Sequence, residues 1–188
     1  MVLADAIWPK ETSNDYLRAG LLVVAGSALI ALSAHLQVPM WPVPMTMQTF
    51  AVLLIALALG SRLGSATVVL YLAEGAVGLP VFAKGAGLAY LAGPTGGYLL
   101  GFVAAAWVAG WLSERGWGRP GLRVFAAMVA GTALIYLFGL TWLATLVGLE
   151  KAVALGLVPF LLGDVVKALL AAMLLPTAWK RVAARPER

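Results

Sequence analysis

The chain has 188 residues, of which 62 % are apolar and only 11 % charged, with a mean hydropathy of +0.95; a soluble domain carries about 25 % charged residues. The apolar content, about 117 residues, matches six membrane helices of ~20 residues each, so a water-soluble enzyme is excluded. The net charge of +5 marks cytoplasmic loops rather than a nucleic-acid footprint, and the absence of cysteine rules out disulfides, thiolate metal sites and a cysteine nucleophile. A single histidine, His35, argues against a zinc centre. The composition is that of an all-α integral membrane protein.

In chain order, residues 1–17 are polar and mixed in charge and read as a loose or interfacial segment on the cytoplasmic side. The first predicted span is Ala19–Leu36, after which Pro39, Pro42 and Pro44 forbid a continuing helix. A second span is predicted over Met45–Gly60, followed by a tight turn through Arg62, and a third over Leu63–Val77. Gly78–Pro94, with Pro80, Gly85, Gly87 and Gly93, reads as a long structured loop. Gly97–Leu112 is the fourth span, and Ser113–Arg123 is a basic turn. Val124–Leu149 is the fifth span. A single long sixth helix is predicted over Ala152–Trp179, with Pro159 near its start and Pro176 near its end. The whole is one membrane domain, with a six-helix bundle over 18–180 and a basic tail at 181–188.

Six spans place the two termini and the second and fourth turns on one side. That side then carries Lys10, Arg18, Arg62, Arg115, Arg119, Arg123, Lys180, Arg181, Arg185 and Arg188, against only Lys84 and Lys151 on the other. This split predicts both termini in the cytoplasm, the orientation of a multi-pass protein of a bacterial cytoplasmic membrane.

No P-loop, zinc-protease or nucleophile-elbow motif occurs, so the chain is predicted not to be an enzyme and not to bind nucleotide itself. The outstanding feature is Asp164 and Lys167, three apart and therefore on one helix face. Counted from the start of the sixth helix, Asp164 lies roughly 15–18 Å along it. A charge at such depth costs at least ~2.5–3.5 kcal/mol and must face protein, water or ligand. The pair reads either as an ion pair tethering the helix or as the floor of an outward-facing pocket. Thr46, Gln48, Thr49, Glu74 and Tyr90 cluster on the same side, with Lys84 on the long loop. Met40, Trp41, Met45, Met47, Phe82 and Phe160 supply an apolar, polarizable wall, which points to a small-molecule site. The small residues Ser27 and Ala31 are expected to face a partner helix, whereas Gly93, Gly97 and Gly101 suit packing inside the bundle as well.

Three stretches, Pro42–Phe50 (PVPMTMQTF), Gly78–Phe82 (GLPVF) continuing through Gly93–Gly101 (GPTGGYLLG), and Pro159–Lys167 (PFLLGDVVK), resemble the BioY family in order and spacing. These are the biotin-binding S subunits of energy-coupling-factor transporters, and the resemblance covers residues 17–180. It implies an S-component bundle of six helices, biotin as the transported ligand, and loops that close over an outward pocket. It places Asp164 and Lys167 on the family's ligand-contacting pair. It also implies a transmembrane coupling subunit and two cytosolic ATPases as partners, and leaves a homo-oligomer open. Lys84 stands where the family more often has a glycine-rich run without lysine. The chemistry agrees: a carboxylate accepts from the ureido N–H groups of biotin, and an ammonium donates to its carbonyl. The competing reading is a proton-coupled secondary carrier for a small organic solute that uses Asp164 or Glu74.

Overall fold

The computed structural model describes residues 2–8, 15–119 and 121–183. Lys10, Arg185 and Arg188 therefore lie outside the described residues. The helices are α1 (Leu3–Ile7), α2 (Asp15–His35), α3 (Gln48–Leu59), α4 (Ser61–Ala76), α5 (Leu88–Leu91), α6 (Gly96–Leu112), α7 (Gly121–Val147), α8 (Leu149–Gly156) and α9 (Leu161–Ala183). A two-residue hairpin joins α2 to α3: β1 (Gln37–Val38) pairs antiparallel with β2 (Met45–Thr46), Gln37 opposite Thr46.

Four stretches are long and apolar enough to cross a membrane: Asp15–His35, Gly96–Trp117, Gly121–Val147 and Leu149–Val182. With 12 and 16 residues, α3 and α4 extend only about 18 and 24 Å. The reason α3 is apolar all round is its position. It touches α2, α4, α6, α7 and α9, and Val52, Leu53, Ala56 and Leu57 on it are completely buried. Around it, neighbouring helices run α2–α4–α6–α7–α9. The tightest of these contacts, α6 on α7, depends on small residues. A Cβ on Gly97 would come within 2.3 Å of Trp142, and one on Gly101 within 3.0 Å of the Ile135 Cα. The glycine row thus packs inside the bundle.

Two expectations change. The N-terminal segment is not loose where it is described: Val2, Leu3 and Ala4 are buried, α1 touches α3 and α9, and Arg18 pairs with Asp5 at 3.1 Å. The sixth helix is not continuous. Leu157 leaves helical geometry at φ −125°, and Val158–Phe160 form a 3-10 turn carrying Pro159. The chain therefore restarts at Leu161, and Asp164 lies in the first turn of α9 rather than three turns into a helix.

One end of the bundle collects basic side chains. Glu114 caps α4 there, accepting from the Ser61 amide and hydroxyl at 2.8 Å each. Arg119 lies 4.5 Å over the ring of Trp179, and Arg18, Arg62 and Glu114 line one cavity. The hairpin and the 77–95 loop cover the other end.

Candidate functional site

The pocket is built where the first turns of α3 and α9 meet α7 beneath the two loops. Its cavity volume is about 60 Å³. The site is therefore a narrow slot. Asp164 and Lys167 line it, with side chains 11 % and 8 % exposed and an ion-pair distance of 3.0 Å.

The valences of this pair define the chemistry. Lys167 Nζ donates to Asp164 Oδ1 at 3.0 Å and to Thr49 Oγ1 at 2.9 Å. An ammonium has three donors, so one is left. Asp164 also accepts from the Tyr136 hydroxyl at Oδ2. Its two oxygens hold about four acceptor positions, and two are filled. One spare donor thus sits beside spare carboxylate acceptors, a complement for a group that carries both N–H and C=O.

A second polar cluster fixes the pocket wall. Gln48 Nε2 donates to the Tyr71 hydroxyl at 2.6 Å, Tyr71 donates to the Val81 carbonyl at 3.1 Å, and Thr46 donates to Gln48 Oε1 at 3.1 Å. The network ties α3, α4 and both loops together around Gln48, itself 5 % exposed. Phe82 stacks on Tyr90 with ring centres 5.0 Å apart and meets Tyr71 edge-on. Gly75 makes this possible, because a Cβ there would stand 2.0 Å from Phe82.

Of the residues singled out in the sequence, the pocket brings together Asp164, Lys167, Thr46, Gln48, Thr49, Phe82, Tyr90 and Phe160. Met45 is not on its lining. Successive strand residues point to opposite sides, so Thr46 faces the pocket while Met45 packs on Gly163. Met40, Trp41 and Met47 also stand off the lining. Glu74 belongs to a different place: it accepts a hydrogen bond from Ser27 between α4 and α2 and does not line the pocket. That contact also corrects the partner assignment. Ser27 has no exposed surface and is turned into the bundle, so it is not free to meet another subunit, whereas Ala31 is partly buried against the core.

The lining contains residues that the sequence did not single out. Tyr98, Phe102, Thr132, Ile135 and Tyr136 enter from α6 and α7. Thr132 and Tyr136 are spaced i,i+4 in an apolar run, and that spacing was the only signal. Tyr98 donates to the Gly156 carbonyl at 2.9 Å, anchoring the end of α8 just before the break that starts α9.

Comparison with known proteins follows the same outline. The BioY family model matches residues 9–184. A protein of Pyrococcus horikoshii, named a probable biotin transporter BioY, is 42 % identical over 148 residues, which are 78 % of this chain and 87 % of that protein. The biotin transporter BioY of Thermotoga maritima is 42 % identical over 164 residues, 86 % of this chain and 93 % of that one. A crystal structure of the S-component for biotin from an ECF-type ABC transporter shares the fold. Its TM-score is 0.76 and its identity 24 %, and the match covers 90 % of this chain and 94 % of that one. With the family pattern spanning nearly the whole bundle and the pocket, the chain belongs to the BioY family.

Proposed function

We infer that this chain is the biotin-binding subunit of an energy-coupling-factor uptake system, a transporter component and not an enzyme. Relatives named biotin transporters support the reading. The observation that carries it is the Asp164–Lys167 pair at the pocket floor, with one ammonium donor and carboxylate acceptors unspent. Asp164 accepts from a ureido N–H, and Lys167 donates to the ureido carbonyl, both as charge-assisted bonds. Phe82, Tyr90 and Phe160 hold the apolar part of the ring system, and Thr46, Gln48 and Thr49 shape the wall beside it.

The bundle spans the cytoplasmic membrane six times, through α2, α3, α4, α6, α7 and α9, with both termini inside. The short α3 is admissible because neighbouring helices shield it from lipid, where incomplete helix is tolerated. The chain has no nucleotide motif, so concentrating biotin draws on ATP hydrolysis or an ion gradient, and membership of the BioY family favours ATPase subunits reached through a membrane coupling subunit. The exposed row of α2, including Leu21, Val24 and Ala28, is one face available for that contact. A proton-coupled carrier is the weaker reading, since Glu74 lies outside the pocket and is held by Ser27. Isothermal titration of the detergent-purified protein with biotin and dethiobiotin tests the binding. ATP-dependent uptake insensitive to ionophores separates the two energy sources.

A further inference from the structure

The segments that cover the pocket are stitched together at its mouth by two hydrogen bonds. Gln37 Nε2 donates to the Ala83 carbonyl at 2.9 Å, and Lys84 Nζ donates to the Met40 carbonyl at 3.0 Å. Val43 and Pro44 of one segment line the pocket, as do Phe82 and Ala83 of the other. A bridge between Phe82 and Gly85 closes a tight turn whose central residues are Ala83 and Lys84. Lys84 therefore stands next to the lining, and its side chain crosses the gap between the two covering segments.

Lys84 is exposed and bonded to a neutral carbonyl, and among the described residues no carboxylate pairs with it. Lys167 is engaged with Asp164 and Thr49 at the floor. Lys151 lies on α8, off the lining, and the arginines gather at the opposite end of the bundle. Among the described residues, Lys84 is thus the cation at the mouth. A biotin ring held at Asp164 and Lys167 sends its acid side chain toward that mouth, with a carboxylate at its tip.

We propose that Lys84 is the counter-ion of the ligand's carboxylate, exchanging the Met40 carbonyl for that carboxylate when the ligand is bound. The proposal rests on the biotin reading and adds to it a subsite that selects acids over neutral analogues. An exposed ammonium–carboxylate pair contributes little, and a charge-assisted bond partly shielded by the covering segments contributes more, so the preference is about three- to tenfold.

The test is a comparison of two ligands on two variants. Biotin and biotin amide are titrated against the purified full chain, against Lys84→Met, which keeps the stem and drops the charge, and against Lys84→Arg. The wild-type protein and Lys84→Arg should prefer the acid by about three- to tenfold. Lys84→Met should lose that preference with its affinity for the amide unchanged. Equal losses for both ligands in Lys84→Met would reduce Lys84 to a loop fastener and overturn the proposal, as would a preference that survives the substitution. Wild-type protein that binds neither ligand would instead refute the biotin reading, and the subsite falls with it.

Discussion

Tyr136 on α7 donates a hydrogen bond to Asp164 on α9, 28 residues further along the chain, and so holds one oxygen of the carboxylate while Lys167 holds the other. The pair is thereby fixed from two sides before any ligand arrives. Pre-organisation of this kind lowers the ordering cost of binding. Tyr136→Phe should therefore keep the fold and weaken biotin binding about tenfold, the cost of one hydrogen bond to a charged group. Titration calorimetry alongside a thermal melt checks it. An affinity equal to wild type would mean that Lys167 alone positions Asp164.

The ion pair itself has two readings that one double substitution separates. Lys167→Met leaves Asp164 as a lone buried charge, and loss of one partner of such a pair costs about 3–5 kcal/mol. Instability is expected on any account. Asp164→Leu combined with Lys167→Met removes both charges and should fold about as well as the parent. If the pair only tethers α9 to α3, that protein still binds biotin. On the present reading it gives a normal melting curve and no heat of binding.

The sequence and the structure agree where hydrophobic length and proline position decide the outcome. The helices that became α2, α4, α6 and α7 were legible because an apolar run with turn residues at each end allows little else. The break before α9 was not, although Pro159 marked it. Proline is tolerated in the first turn of a helix, so one long helix and a restarted one share that signal. The depth assigned to Asp164 was wrong for this reason, while its partner Lys167, fixed by i,i+3 spacing, was right. Tyr136 and Tyr98 stayed hidden because apolar membrane helices carry no contrast between their two faces. The inward turn of Ser27 was hidden for the same reason.

The corrected face of α2 makes its own prediction. Ser27 is completely buried against Glu74, whereas Ala28, one residue on, is exposed. Ser27→Ala should lower stability by about 1–3 kcal/mol, because the half-buried carboxylate loses its donor, with biotin affinity unchanged. Ser27→Trp has no room and should yield little folded protein. Ala28→Trp should fold and bind as wild type, yet impair energised uptake if the coupling subunit docks on the exposed face of α2 as proposed. Normal uptake by Ala28→Trp would move that contact to another helix.

The orientation is open to a direct chemical test, since the chain has no cysteine of its own. Arg119, in the turn before α7, and Lys151, on α8 just after it, are both exposed, and α7 at 27 residues is long enough to separate them by a full bilayer. Positive charge is retained on the cytoplasmic side, and the end that gathers Arg18, Arg62 and Arg119 carries the greater share. In intact cells, Arg119→Cys should resist an impermeant thiol reagent until the membrane is opened, and Lys151→Cys should react at once. Each single cysteine leaves Asp164 and Lys167 untouched, so biotin binding serves as the control for folding. The opposite labelling pattern would turn the pocket mouth toward the cytoplasm and make capture from outside impossible. Labelling of both from outside would mean that α7 does not cross the membrane at all.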